Sequence, residues 1–390
     1  MITAAALGER LAGLEGIGTG PRGVTRLAWT PEDAACRAWF ADQAAGLGRR
    51  VEVDPAGNLW APPDGDGPWW GVGSHLDSVR AGGRLDGPLG VAAAFEVAAR
   101  LPVAVLDLAD EEGARFATPT FGSRALVGRL DLGDVLARSD DDGIVLRDAL
   151  AGAGVDPDGV AGAPGWLARL HGFLELHIDQ TRDLERAGLA AGTVAGLAAR
   201  MRVRADLHGR ADHAGTTRRQ ERRDALSAAA HLIVAAEELA APVPDFVVTA
   251  ARMLVDPNAM STIPARVRLW VDARAPDAVQ VDAWRSGFAR AAEDLAARTG
   301  VRIELTTASR SAGVTFDPGV RAALRRATGG DELVCFAGHD AGVLAERLPA
   351  GMVFVRNPTG VSHAPEEDVA LEDAAVAANA LLAALQELLG

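Results

Sequence analysis

The sequence predicts an α/β protein whose larger domain is built on a mainly parallel sheet. Between about residues 69 and 177, apolar strand-like runs alternate with Ala/Leu-rich helical runs, as expected for a parallel sheet covered by helices on both faces. The same pattern returns after about residue 316. The predicted elements are strands at 69–73, 103–109 and 351–355 and a helix at 91–101. We therefore assign residues 1–191 and 313–390 to one discontinuous domain.

A different pattern predicts a smaller α+β domain at residues 192–312, inserted into the first. Residues 201–208 alternate between apolar and polar side chains with period two, which is typical of a half-exposed antiparallel strand. The other predicted elements are helices at 224–239 and 277–299 and strands at 247–255, 265–272 and 301–306.

Composition excludes several classes of function. The net charge of −14 argues against nucleic acid and anionic membrane as partners. No apolar run reaches the roughly 18 residues of a membrane span, and the first residues lack the basic start of a secretory signal.

The two cysteines, Cys36 and Cys335, are too few for a disulfide scaffold and fit a reducing compartment, so we expect a cytoplasmic protein. The chain has no lysine and no tyrosine, which excludes a Schiff-base lysine or a catalytic tyrosine.

Four short runs place metal-binding side chains directly after strand-like stretches. They are His75 and Asp77 with Asp86 closing the next loop, Asp110-Glu111-Glu112, Glu175-Leu176-His177, and Ser362-His363. Because the carboxyl ends of parallel strands line one crevice, we expect these side chains to converge. Three histidines and several carboxylates are the ligands of a two-metal hydrolytic site.

Each run alone also has an ordinary explanation. The first fits a polar surface loop, the acidic triplet fits a solvated turn, and His177 fits a satisfied core histidine. His363 precedes Ala364-Pro365-Glu366-Glu367, which the sequence predicts as the start of a helix. Coincidence at four strand ends together is improbable, so we interpret the set as a metal site in an enzyme.

The motifs in their order along the chain resemble those of the hydantoinase/carbamoylase-type amidohydrolases. This group, within the dimetal aminoacylase/carboxypeptidase superfamily, includes N-carbamoyl-L-amino-acid hydrolases, allantoate amidohydrolases and β-ureidopropionase-like enzymes. The matching runs are Gly73–Val79, Gly82–Gly87, Glu111–Phe116, Glu175–Gln180, His213–Thr217, Arg223–Ala225, Ala337–Ala341 and Gly360–His363.

The resemblance implies a dimetal catalytic domain and assigns roles in it. His75, Asp86 and His177 would hold one divalent ion, and Asp86 would bridge to a second held with Glu112 and His363. Glu111 would be the general base. Asp77, two residues after His75, would hold the other ring nitrogen of that histidine and fix its tautomer. Two ions are implied; the all-N/O ligand set favours zinc and also admits manganese, cobalt or nickel.

The resemblance also implies substrate contacts and a homodimer. The residues implied in binding a small-molecule substrate are Gln180, His213, Ser261, Arg274, Gly338 and His339. Arg274 would bind the substrate carboxylate, because a guanidinium offers it two parallel hydrogen bonds. His213 would help to polarise the scissile carbonyl. The inserted domain would act as a lid and dimerise.

Four positions depart from the family pattern. Ser261 stands where the family has asparagine, Thr181 replaces a glycine, Arg218 replaces a proline, and Asp179 replaces a glutamate. None removes a metal ligand or the base, so the departures bear on the substrate.

The implied activity is metal-dependent cleavage of a carbamoyl or ureido C–N bond in a small carboxylate-bearing molecule. Glu111 would take a proton from water and return it to the leaving nitrogen. One alternative is an N-acyl amino acid deacylase or dipeptidase with the same machinery. Another is a non-catalytic binding homologue, which would be expected to have lost the base or a ligand.

Overall fold

The structure, a computed structural model, describes residues 1–390. The α-helices are α1 (Ala4–Ala12), α2 (Pro31–Gly46), α3 (Pro88–Ala98), α4 (Phe121–Leu126), α5 (Leu132–Val135), α6 (Leu146–Gly152), α7 (Asp183–Ala187), α8 (Ala225–Ala240), α9 (Ala278–Thr299), α10 (Pro318–Thr328), α11 (Asp340–Leu344) and α12 (Leu371–Leu389). Two 3-10 helices span Gly159–Arg169 and Arg219–Glu221.

The strands follow the same chain order. They are β1 (Thr19–Gly20), β2 (Gly23–Val24), β3 (Glu52–Val53), β4 (Leu59–Ala61), β5 (Trp69–Ser74), β6 (Ala104–Asp107), β7 (Leu170–Ile178), β8 (Ala191–Leu197), β9 (Ala199–His208), β10 (Asp212–His213), β11 (Val247–Asp256), β12 (Thr262–Ile263), β13 (Arg266–Ala275), β14 (Arg302–Ser311), β15 (Val314–Thr315), β16 (Leu333–Cys335) and β17 (Ala350–Val355). The chain divides into two compact units, Met1–Gly196 with Thr315–Gly390 and Leu197–Val314.

The larger unit contains a mixed sheet whose centre is parallel. The strand order is β15-β8-β17-β7-β5-β6-β4-β3, with β16 beside β8. The four central strands β6, β5, β7 and β17 run parallel to one another. The flanking pairs are antiparallel: β8 with β17, β4 with β6, and β3 with β4. The predicted α/β class with a mainly parallel central sheet is confirmed.

The central strands are apolar because they are buried on both faces. Every residue of β17 and nearly every residue of β5 and β7 is buried, which explains their nearly continuous apolar runs. All of α3 is buried as well. Gly90 permits this packing, because a Cβ at that position would collide with the Leu176 carbonyl and the Ser74 side chain. α3 therefore lies directly against the two strands that lead into His75 and His177.

The smaller unit contains an antiparallel sheet in the order β11-β13-β9-β14. One face packs against α8 and α9 and buries Met201, Val203 and Leu207, so the predicted period two is confirmed. Both helices begin at an aspartate that caps their backbone, Asp224 for α8 and Asp277 for α9. The opposite face of the sheet carries polar and charged residues.

The predicted helix start after His363 is wrong. No helix begins between His363 and Leu371, because this segment turns Glu367 into the protein interior. A Cβ at Gly83 would lie 2.7 Å from Glu367 Oε2, so this carboxylate packs on the loop that leads to Asp86. None of the helices combines the length and the apolar character that a transmembrane helix needs.

Candidate metal centre and active site

His75 and Asp86 are brought together by a tight loop between β5 and α3. His75 follows the last residue of β5, and Asp86 lies just before α3. Gly87 has a φ of +84°, and a Cβ there would lie 2.5 Å from the His75 ring. Glycine therefore provides both the backbone conformation and the space that this approach requires.

His177, at the end of β7, completes a buried group with these two residues. Its Nε2 lies 3.2 Å from Asp86 Oδ1, and ligand atoms of His75, Asp86 and His177 all lie within 4.8 Å of one another. His75 Nε2 is buried with no hydrogen-bond partner. A buried nitrogen lone pair without a donor is costly, and a cation bound by these three side chains would satisfy it.

The acidic run after β6 is held by Asp77. The Asp77 carboxylate accepts hydrogen bonds from the backbone N–H groups of Glu111 and Glu112, both at 3.1 Å. His75 Nδ1 lies 3.0 Å from the backbone oxygen of Asp77 and 3.6 Å from its carboxylate. The sequence suggested that the Asp77 carboxylate holds the His75 ring; the structure gives that contact to the backbone oxygen. The carboxylate instead orients the acidic run.

Glu112 and His363 form a second group with Asp86. His363 Nε2 lies 3.4 Å from Glu112 Oε2 and 3.8 Å from Asp86 Oδ2. The His363 side chain is 50% exposed, whereas Asp86 is buried. Asp86 thus belongs to two candidate ligand groups, one on each of its oxygens.

Glu111 and His339 lie beside these groups. His339 Nδ1 is 3.4 Å from Glu111 Oε1, and the His339 ring packs against His177 with 4.2 Å between ring centroids. His339 is buried and neither of its ring nitrogens has a hydrogen-bond partner. Burial lowers the pKa of His339 well below its usual range, which keeps the ring neutral.

The electrostatics of the cluster favour a bound cation. Burial and the neighbouring Asp86 raise the pKa of Glu112 to about 8, and burial with nearby carboxylates raises the pKa of Glu111 well above its usual range. Burial lowers the pKa of His75 to about 4. Burial also favours a neutral His177, yet the Asp86 carboxylate raises its pKa to about 9. Without cations Glu111 and Glu112 therefore hold protons, and the Glu112 proton is one that a bound divalent ion would displace.

Four further polar residues support the site, and sequence reasoning gave them no role. Glu175 accepts hydrogen bonds from Ser74 Oγ and from the backbone N–H of Ala341, both at 2.9 Å. It therefore joins the end of β5, beside His75, to the start of α11, beside His339. Ser123 Oγ donates to Asp340 in the same region. The period-two spacing of Glu175 and His177 was the only signal available.

The remaining predicted residues of the larger unit flank this cluster. Gln180 is half-buried in the turn after β7, and Gly338 is exposed immediately before His339. A Cβ at Gly338 would meet no atom within 4 Å, so sterics alone do not demand glycine there. The Thr181 hydroxyl donates to Asp179 at 2.7 Å and accepts from the Asp183 backbone N–H. Thr181 thus stabilises a local turn.

His213 and Ser261 neighbour each other in the smaller unit. The β10–β12 pairing sets His213 opposite Thr262, and the Ala214 backbone N–H donates to the Ser261 backbone oxygen at 2.9 Å. His213 Nδ1 accepts from the backbone N–H groups of Gly215 at 3.0 Å and Thr216 at 3.2 Å. A neutral His213 ring therefore carries its proton on Nε2, which can donate to a ligand.

Arg274 lies on the open face of the smaller unit's sheet. Its Nε donates to Asp272 Oδ1 at 2.8 Å, which orients the guanidinium along β13. Arg218, the departure beside the His213 loop, is exposed. No hydrogen bond or ion pair joins the Arg218 side chain to His213.

Comparison with known proteins identifies the family. The model of peptidase family M20/M25/M40 matches residues 71–387. The chain belongs to this family. An N-carbamoyl-L-amino acid amidohydrolase of Geobacillus stearothermophilus is similar to the chain, 38% identical over 98% of this chain and 97% of the relative. The allantoate amidohydrolase of Bacillus subtilis is 29% identical over 94% and 93%. A hydantoinase/carbamoylase family amidase from Burkholderia multivorans has a similar crystal structure, with a TM-score of 0.88, 32% identity and coverage of 99% and 98%.

Proposed function

We propose that the protein is an amidohydrolase that cleaves the carbamoyl or ureido C–N bond of a small carboxylate-bearing molecule, such as an N-carbamoyl-L-amino acid or allantoate. The observation that carries this proposal is the buried cluster around Asp86, whose two carboxylate oxygens each face a separate ligand group. The resemblance over nearly the whole chain to a carbamoyl amino acid amidohydrolase supports the choice of bond.

Two divalent ions fit the donors of this cluster. His75, His177 and Asp86 would hold one ion, and Asp86, Glu112 and His363 would hold the other. When bound, such ions polarise a carbonyl oxygen and lower the pKa of a coordinated water towards neutrality. A ligand set of nitrogen and oxygen donors without thiolate favours zinc and also admits manganese, cobalt or nickel.

Glu111 would move the proton in the reaction. It would accept a proton from the attacking water and deliver it to the nitrogen that leaves as the C–N bond breaks. The amine and a carbamate result from a carbamoyl substrate, and the carbamate then releases carbon dioxide and ammonia. The hydrogen bonds from the run's backbone to Asp77 hold Glu111 in place for this transfer.

His213 would stabilise the charge that develops on the carbonyl oxygen. With Nδ1 occupied by two backbone donors, only Nε2–H can point at a substrate. A fixed donor of this kind gains strength as negative charge grows on the oxygen, so it favours the transition state over the substrate. Gln180, Ser261, Gly338 and His339 would complete the substrate contacts.

Arg274 would bind the carboxylate of the substrate. We expect Arg274→Ala to raise KM strongly for carboxylate substrates and to change kcat less, because the contact serves binding in ground state and transition state alike. The matched control is Arg266→Ala, an exposed arginine at the other end of β13. Steady-state kinetics of both variants check this. An unchanged KM in Arg274→Ala would mean that the substrate lacks a carboxylate or is bound elsewhere.

A paired substrate panel tests the proposed function. Each amino acid is offered as its N-carbamoyl and its N-acetyl derivative, with allantoate and N-carbamoyl-β-alanine added. Ammonia release reports carbamoyl cleavage, and free amine reports both reactions. We expect ammonia release from the carbamoyl series. Amine release from the acetyl series alone would replace the proposal with an N-acyl amino acid deacylase, which is the alternative within the same chemistry.

We also infer that a second copy of the chain pairs with the edge of the smaller unit. β11 is an edge strand ten residues long, and Val247, Met253 and Leu254 on it are exposed. A long edge strand with exposed apolar side chains is rarely left uncovered in a monomer. Light scattering on the purified protein is expected to give the mass of a dimer, and the mass of a monomer would reject this inference.

A cytoplasmic location is part of the same proposal. Cys36 and Cys335 are buried and form no disulfide. This arrangement suits a reducing compartment.

A further inference from the structure

The loop that carries His213 is short, exposed and rich in small residues. It runs from His213 to Thr217, between the two-residue strand β10 and the 3-10 helix at Arg219–Glu221. His213, Gly215 and Thr216 are exposed, and Thr217 is buried. An exposed loop of small side chains samples many conformations unless hydrogen bonds restrain it. The proposed role of His213 requires the opposite, a donor held at a fixed position.

The Arg222 guanidinium bridges the two ends of this loop. Its Nη2 donates to the Ala214 carbonyl at 2.6 Å, and its Nε donates to the Thr217 carbonyl at 3.1 Å. Because the guanidinium is a rigid planar fork, it sets the distance between the two carbonyls. Arg222 forms no ion pair, in contrast to the nearby Arg210, which pairs with Asp212. The hydrogen bonds of the Arg222 side chain therefore serve the loop backbone.

The bridged segment contains both donors that set the tautomer of His213. The backbone N–H groups of Gly215 and Thr216 donate to His213 Nδ1 at 3.0 and 3.2 Å. Both residues lie between the two carbonyls that Arg222 binds. A Cβ at Gly215 would lie 3.3 Å from the His213 ring, so the backbone packs closely on the imidazole. Loss of the bridge would allow these two peptide groups to turn away from Nδ1.

The other hydrogen bonds of the loop hold its ends. Thr217 Oγ1 donates to the His213 carbonyl at 2.8 Å, and the Thr217 backbone N–H donates to the same oxygen at 3.2 Å. The Ala214 backbone N–H donates to the Ser261 carbonyl. None of these bonds reaches the His213 ring. Removal of the Arg222 side chain should therefore loosen the peptide groups around Nδ1 and leave the fold of the smaller unit in place.

We propose that Arg222 is a positioning residue, which holds the His213 loop so that the ring keeps its proton on Nε2 and presents this N–H to the substrate carbonyl. The inference rests on the proposed function of His213 and adds a residue that acts only through it. A donor oriented in advance needs no reorganisation when charge develops on the carbonyl oxygen. Without Arg222, part of the population would carry the proton on Nδ1, and Nε2 would then have no hydrogen to donate.

A double-mutant cycle tests whether Arg222 acts through His213. His213→Ala should reduce kcat roughly 100- to 1,000-fold, the usual cost of removing one donor to a developing oxyanion. Arg222→Ala should reduce kcat roughly 10- to 100-fold and change KM by less than about threefold, because a misplaced donor affects mainly the transition state. In the double variant, Arg222→Ala should add nothing to the loss caused by His213→Ala. Losses that multiply would show an independent role and would overturn the proposal.

Two variants control for charge and for folding. Arg219→Ala removes an exposed arginine of the same segment that forms no ion pair, and its turnover should equal that of wild type. Arg222→Lys keeps the positive charge but lacks the planar fork, so its kcat should fall nearly as far as that of Arg222→Ala. If Arg222→Ala fails to fold, the lysine variant undergoes the same tests. Wild-type turnover in Arg222→Lys would show that charge alone suffices and would overturn the proposal.

Nuclear magnetic resonance of the ring nitrogens separates this proposal from the proposed function. In protein with ¹⁵N-labelled histidine, the ring-nitrogen signals of the eight histidines distinguish an Nδ1 lone pair from an Nδ1–H, and His213→Ala assigns those of His213. The spectra are recorded without substrate at about pH 8, above the usual histidine pKa. We expect a single Nε2–H tautomer of His213 in wild type and a mixture of both tautomers in Arg222→Ala.

The spectra decide the role of Arg222 whatever the enzyme hydrolyses. If no carbamoyl compound is cleaved, the proposed function fails, and the tautomer of His213 still reports on the bridge. A mixture already present in wild type would overturn the proposal. A single unchanged tautomer in Arg222→Ala would overturn it as well.

Discussion

Replacing Glu111 with glutamine is expected to reduce turnover roughly 100- to 10,000-fold, the usual contribution of a general acid–base group. The amide cannot accept the proton of the attacking water or return it to the leaving nitrogen. Glu111 is absent from the two candidate ligand groups that contain Asp86, so metal content should be retained. Thermal unfolding and metal analysis of Glu111→Gln beside kcat check both parts.

The control for this substitution is Glu366→Gln, which removes an exposed carboxylate three residues after His363. Its turnover should equal that of wild type. Normal turnover in Glu111→Gln would remove Glu111 as the base. Glu111 also lies in a possible ligand group with His75 and Glu112. Loss of bound metal together with turnover would therefore make Glu111 a metal ligand instead of the base.

Replacing Asp86 with asparagine is expected to weaken the binding of both metal ions strongly. Asp86 is the one carboxylate that faces both His177 and His363, at 3.2 and 3.8 Å. The loss of metal affinity should exceed the roughly 10- to 100-fold that follows loss of a supporting residue, because a ligand to both ions is removed. Metal content after dialysis and the rise in melting temperature on zinc addition measure this effect.

Asp368→Asn is the matched control. Asp368 is exposed and forms an ion pair with Arg84, which lies on the same loop as Asp86. It should bind metal as wild type does. If Asp86→Asn retained two tightly bound ions per chain, the assignment of Asp86 as the shared ligand would be contradicted.

The strands that lead into the site could be predicted because their apolar sequence pattern matches their buried position in the sheet. β5 and β17 are continuous apolar runs that end at polar loops, and a parallel sheet collects such ends at one edge. The predicted residues His75, Asp86, Glu112, His177 and His363 therefore lie together. The division of the chain was predicted at residues 192 and 312, and the compact units divide at 197 and 314.

Contacts between distant residues could not be read from the sequence in the same way. Glu175 joins Ser74 to Ala341, which are separated from it by 101 and 166 residues. The burial of Glu367 depends on the space beside Gly83, whereas its local sequence, with proline and two acids, is typical of a helix start. Asp77 was assigned to the neighbouring ring because only sequence distance was available, and its carboxylate contacts the acidic run.

Metal titration of chelator-treated protein tests the central claim most directly. Ammonia release from an N-carbamoyl-L-amino acid is followed as zinc or manganese is added in steps, with Glu111→Gln as the inactive reference. The two-ion centre predicts that metal-free protein is inactive and that activity rises to a plateau at two ions per chain. Full activity in protein shown to be free of metal would contradict the account.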